Sequence, residues 1–90
     1  MKRSLHVYYS GRVQGIGFRF TAQRIAEGLR IGGWVSNLAD GRVEINAEGS
    51  EDSLKEFIAQ INGTFKSHIQ DIRDEWGPAQ GEFKGFNIRF

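Results

Sequence analysis

The apolar residues of this chain change their period in a fixed order, and that order leaves few folds open. Leu5, Val7 and Tyr9 alternate with His6 and Tyr8, as one buried strand face requires. Phe18, Ala22, Ile25, Ala26 and Leu29 then fall on a single stripe of a helix. Trp34 to Leu38 and Arg42 to Glu48 read as two strands, the second burying Val43, Ile45 and Ala47. Ala39-Asp40-Gly41 between them has the composition of a hairpin turn. Gly49-Ser50 opens a second helix, with Ser50 as N-cap and Glu51 and Asp52 complementing the dipole. Its stripe is Leu54, Phe57, Ile58, Ile61 and Phe65, and Asn62-Gly63 is expected to end it. Ile69 and Ile72 are spaced wrongly for one strand face, which predicts a bulge or an edge strand. Gly77-Pro78 reads as a turn, and Phe86, Ile88 and Phe90 alternate in a closing strand.

Strand, helix, strand, strand, helix, strand is the order of a split βαβ unit. The expected class is α+β, ferredoxin-like, with one extra terminal strand. The sheet is expected to be antiparallel, with both helices on one face. A chain of 90 residues has room for one core, so residues 1–90 are expected to form a single domain. Seven Phe, two Trp and two Tyr supply its bulk. With no cysteine, disulfides, thiolate metal sites and cysteine nucleophiles are excluded.

This fold carries many unrelated functions, so chemistry must be sought in particular residues. The net charge of +1 gives no basis for strong electrostatic binding to nucleic acid or membrane. The opening residues are too few and too polar for a signal peptide. No apolar run approaches the roughly 20 residues that span a bilayer. A cytoplasmic protein is therefore expected.

The strongest local feature is Gly11-Arg12-Val13-Gln14-Gly15-Ile16-Gly17-Phe18-Arg19, which leaves a strand and enters a helix. It lacks the Gly-Lys-Ser/Thr ending of a Walker loop and the third glycine of a dinucleotide fingerprint. Gly15 and Gly17 can take positive φ, which lets successive N–H groups converge on one concavity. The helix start behind them favours negative charge. Arg19 falls in the first helical turn, where a cation opposes the dipole by roughly 0.3–1 kcal/mol. A bound anion would remove that opposition, and a guanidinium would complete its site. By itself the loop is equally readable as a tight turn with a solvated arginine. Asn37 stands at the end of the next strand, where its amide can accept from a water and donate to an oxyanion. By itself it too is readable as a turn residue.

Taken together, these residues resemble the acylphosphatase family. The motif at 11–19 is joined by Gly33-Trp34-Val35-Ser36-Asn37, by Asp40-Gly41-Arg42-Val43-Glu44 and by the closing Phe86-Asn87-Ile88-Arg89-Phe90. The resemblance implies that Gln14, Gly15, Ile16, Gly17, Phe18 and Arg19 form a phosphate loop. It implies that Arg19 binds the phosphoryl oxygens and Asn37 orients the attacking water. It implies hydrolysis of acyl phosphates to carboxylate and inorganic phosphate, with no metal, cofactor or covalent intermediate. Phosphate is then expected as product or inhibitor, and the chain as a monomer. The sequence departs from the family at Arg30, where a glycine is usual and would suit a left-handed helix cap; either Arg30 takes that strained geometry or Gly28 or Gly32 shifts the helix end.

The remaining candidates have plainer expectations. His6, His68, Arg12, Glu44 and Glu48 read as solvated, and Trp34 as core or as a wall beside the site. Gln14 is expected to use its backbone N–H rather than its side chain. Two rival functions have different signatures. An RNA-binding module would carry a run of aromatics on its sheet, and that run is absent. An anion sensor would need only the cradle, whereas this chain has both Arg19 and Asn37. Related domains occur inside larger carbamoyl-transfer maturation proteins; at 90 residues this chain is expected to act alone.

Overall fold

A computed structural model describes residues 1–81 and 83–90. Seven elements follow one another: β1 (Lys2–Gly11), α1 (Phe18–Gly28), β2 (Gly32–Asn37), β3 (Val43–Ser50), α2 (Glu51–Thr64), β4 (Ile69–Pro78) and β5 (Phe86–Arg89). The strands form one sheet in the order β4-β1-β3-β2-β5. The anticipated α+β, ferredoxin-like arrangement is present. The alternations of β1 and β3 place their apolar residues inward, whereas in the closing run Phe86 is buried and Phe90 is exposed. Leu5, Val7 and Tyr9 on β1 and Val43, Ile45 and Ala47 on β3 are wholly buried. Against that face lie Ala22 and Ala26 of α1 and Leu54, Phe57 and Ile61 of α2.

The first four strands in the sheet pair antiparallel, but β5 runs parallel to β2, so the sheet is mixed rather than antiparallel throughout. The chain path explains this. β4 ends beside Arg3, at the end of the sheet where β1 begins. The chain then crosses that end and enters β5 where β2 also begins, with Gly33 opposite Phe86. It must run in the same direction as β2.

Glu48 holds this crossing. Its two carboxylate oxygens accept from the N–H groups of Gln80 (2.7 Å) and Gly81 (2.9 Å). Glu48 is therefore buried, at 8% exposure, not solvated as expected. Glu44 is also engaged rather than free: its Oε2 meets His6 Nε2 at 2.5 Å and accepts from the Tyr8 hydroxyl at 3.1 Å. The bond to Glu44 holds the Tyr8 pKa above its ordinary value. Trp34 lies on the sheet face away from the helices, beneath the Arg89 guanidinium at 4.2 Å, and is neither core nor site wall.

Other boundaries moved for local reasons. Ser50 caps α2 as expected, accepting from Ser53 N at 3.1 Å. The helix nevertheless runs through Asn62-Gly63 to Thr64. The Asn62 side chain is taken up by the Tyr9 hydroxyl (2.9 Å), and Phe65 buries itself as the final residue of the stripe. A glycine in the last turn opposes the helix by only about 1 kcal/mol, which that packing outweighs. Ile69 and Ile72 straddle a bulge on an edge strand, so both alternatives hold: the register against β1 shifts between Ser10 and Gly11. Gly77-Pro78 is not a turn. It pairs with Ser4 and Arg3 at the end of β4, a sheet edge, where proline's missing N–H is tolerated.

Candidate active site

One end of the sheet collects the residues singled out above. β1 ends there in Gly11, α1 begins there, β2 ends there in Asn37, and β5, running alongside β2, delivers Phe90 to the same end. The segment between β1 and α1 is pinned from below. Val13 is fully buried, Ile16 packs against the core, and the Phe18 ring stacks on Phe65 at 4.6 Å. Gly15 and Gly17 stay exposed between these anchors, both in the left-handed region (φ 76° and 80°). Side chains would be strained there, and glycine lets the backbone turn over the buried Val13 and Phe18.

Gly17 is also the N-cap of α1, and no side chain caps the helix in its place. No acidic residue occupies the first turn. The N–H groups of Phe18, Arg19 and Phe20 therefore have no acceptor within the helix. A bare helix start and two left-handed glycines make a candidate cradle for an oxyanion. Arg19 adds a cation at its rim. Its guanidinium lies 4.9 Å from the Phe90 ring centroid, and among the described residues it makes no ion pair. Phe90 is itself 93% exposed, so the closing residue serves the rim of this site rather than the core.

Asn37 closes β2 opposite Val43. Its Oδ1 is buried, and among the described residues it has no hydrogen-bond partner. Leaving a buried acceptor unpaired costs roughly 1–3 kcal/mol. A water at that oxygen would recover the loss. The neighbouring Arg42 is not available to a substrate in the same way as Arg19. Its guanidinium lies over the Tyr8 ring at 4.7 Å and donates to Asp40 at 2.8 Å. The Arg42 N–H and guanidinium together hold the Asp40 carboxyl below its ordinary pKa.

The structure joins the loop to the Asn37 strand through a residue whose side chain was not expected to act. Gln14 Nε2 donates to the carbonyls of Leu38 (2.8 Å) and Arg42 (3.0 Å). Its polarity within an otherwise apolar and glycine-rich loop was the only sign of this in the sequence. Phe90 beneath Arg19 was likewise missed, because nothing local links the last residue to the first helix. A separate cavity of about 380 Å³ lies at the opposite end of β2, beside Arg30, Gly32 and Phe83, and includes none of these groups.

Comparison with known proteins gives the chain's family. A family model described as acylphosphatase matches residues 5–88. An acylphosphatase of Methanospirillum hungatei is 54% identical over 70 residues, covering 78% of this chain and 76% of that one. An acylphosphatase of Caldanaerobacter subterraneus is 38% identical over 89 residues, covering 98% of this chain and 99% of its own. The crystal structure of acylphosphatase from Bacillus subtilis superposes with a TM-score of 0.90 at 36% identity, over 98% of this chain and 99% of that one. With its fold and nearly its whole length matched, the chain belongs to the acylphosphatase family.

Proposed function

We propose that Arg19 and the backbone N–H groups of Gln14, Gly15, Ile16, Gly17 and Phe18 hold the phosphoryl group of an acyl phosphate, while Asn37 holds the water that attacks it. Hydrolysis of acyl phosphates is the family activity. The observation that carries the residue roles is the buried, unpaired Oδ1 of Asn37 at the end of β2, on the hairpin that Gln14 ties to the loop.

In this reading the water oxygen bonds to phosphorus as the bond from phosphorus to the carboxylate oxygen breaks. The products are a carboxylate and dihydrogen phosphate. The leaving carboxylate takes no proton, so no general acid is required. The water's surplus proton goes to a phosphoryl oxygen of the substrate, because no His, Asp, Glu or Cys stands in the loop. Charge spreads over the three equatorial oxygens of a loose transition state. Fixed N–H dipoles and one guanidinium suit that charge, and they act without a metal. The substrate's reacting group is common to acetyl, carbamoyl and 1,3-bisphosphoglyceroyl phosphates. Inorganic phosphate, which presents the same oxygens, would compete for the site.

The same reading takes residues 1–90 as one domain acting as a monomer in the cytoplasm. Supporting it, the Caldanaerobacter relative is matched over 99% of its length. The exposed edge strand β4 carries Asp71, Arg73, Asp74 and Glu75, charges that discourage pairing with a second copy. Among the described residues no helix is long and apolar enough to cross a membrane.

The test is hydrolysis of benzoyl phosphate in excess EDTA. Arg19→Gln should lose both turnover and phosphate inhibition, whereas Asn37→Ala should lose turnover by about 10²–10³-fold and keep phosphate inhibition. Normal kinetics in either variant would refute that residue's role. Loss of wild-type turnover in EDTA would refute the metal-free reading, and a strong enzyme-borne ionisation near pH 6.5 would refute proton transfer to the substrate.

A further inference from the structure

Gln14 lies within the loop, yet its side chain faces the other way. Both hydrogens of its amide nitrogen have acceptors, the carbonyls of Leu38 at 2.8 Å and Arg42 at 3.0 Å. Two carbonyl partners also settle which end of the amide is nitrogen, since an oxygen there would meet only acceptors. This side chain has no N–H left to offer a phosphate.

The hairpin does not need these bonds to form. The Leu38 carbonyl already accepts from Gly41 N at 3.1 Å, and the Arg42 carbonyl from Leu38 N at 2.8 Å. Nor does the loop need them for its anchorage, which Val13, Ile16 and Phe18 supply. Gln14 therefore links two segments that are each complete without it. One segment is the cradle; the other begins at the residue after Asn37.

We infer that Gln14 is a positioning residue. Its amide sets the separation and angle between the loop that holds the phosphoryl group and the asparagine that holds the water. The inference rests on the reading above and adds how its two halves are kept in register. In-line attack demands such register: a misplacement of about 1 Å can lower a rate on the order of 10²-fold. Anion binding makes no such demand, because the loop amides and Arg19 remain together without the link.

The experiment is a double-mutant cycle of Gln14→Ala and Asn37→Ala, read by benzoyl phosphate turnover and by inhibition with inorganic phosphate. Gln14→Ala should lower kcat by about 10- to 100-fold while the phosphate inhibition constant stays within about threefold. In the Asn37→Ala background the same change should have little further effect, since there is no longer a placed water to misplace. Gln14→Met, which keeps the side chain's length without its donors, serves if the alanine variant does not fold. Unchanged kcat in the Gln14 variants, an equal fall in phosphate affinity, or full additivity with Asn37→Ala would each overturn the inference alone. Normal turnover by Asn37→Ala would overturn the parent reading and this one with it.

Discussion

Replacing Arg30 tests a place where the backbone of this chain opposes its own side chain. Among the described residues Arg30 is the sole non-glycine with positive φ, at 57°. It stands there because α1 ends in a Schellman turn. Ile31 N reaches back to the Ala26 carbonyl at 2.9 Å and Arg30 N to the Glu27 carbonyl at 3.2 Å. That geometry requires a left-handed residue after Leu29. For a residue with a Cβ the conformation costs roughly 1–2 kcal/mol. Glycine escapes this but loses an extra 0.5–1 kcal/mol, roughly, of chain entropy on folding. The Arg30 charge near the helix C-terminus adds a small favourable interaction that complicates a direct comparison. The comparison that removes it is Arg30→Gly against Arg30→Ala, which differ in strain and chain entropy but not in charge. The glycine variant should be the more stable by about 0.5–1 kcal/mol, a melting difference of roughly 2–8 °C for a domain of this size. Urea unfolding with unchanged m-values would measure it. Benzoyl phosphate turnover should be unaffected, since an 11-residue helix puts Arg30 about 16 Å from the cradle at its other end. If alanine proved as stable as glycine, the strain argument would be wrong.

Three further outcomes follow from particular contacts. Gly33→Ala should prevent or severely weaken folding, by more than about 3 kcal/mol in urea titration, because a Cβ at φ 141° would sit 1.9 Å from the Asn46 carbonyl oxygen of the neighbouring strand. Burial raises the Tyr9 pKa far above its ordinary value near 10, so the folded state favours the neutral phenol. Stability is then held below pH 10 and lost as pH rises beyond it, and Tyr9→Phe should flatten that alkaline loss in chemical denaturation while weakening the protein by about 0.5–1.5 kcal/mol at neutral pH. Glu48→Ala should strand the N–H groups of Gln80 and Gly81, lowering stability by about 1–3 kcal/mol and raising amide exchange first in β5; unchanged exchange there would show that the crossing has another anchor.

The contrast between Glu48 and Ile45 shows where reading a sequence stops. Ile45 lies on a strand whose period of two already divides inside from outside, and its burial follows from neighbours in the chain. Glu48 obeys the same period and points outward. It is buried only because a segment more than thirty residues later folds across it. No local pattern contains that return path. The parallel pairing of β5 was hidden for the same reason, since an alternating run specifies a face and not a direction. Gly15, Gly17 and Arg19 were legible as a candidate cradle because loop, cap and helix start are contiguous. Asn37 was legible as a candidate, but not its orphaned oxygen, which depends on everything packed around the strand end.

The sequence by itself determined the order of elements, the inward faces of β1 and β3 and the composition of the candidate anion loop, since each depends on the covalent neighbourhood of a few residues. Only the tertiary structure decided that Gln14 reaches the Asn37 hairpin, that Phe90 lies under Arg19 and that Glu48 locks the crossing to β5. Those contacts join residues far apart in the chain, and their partners are chosen by sheet order and chain direction, which depend on the energy of the whole packed molecule.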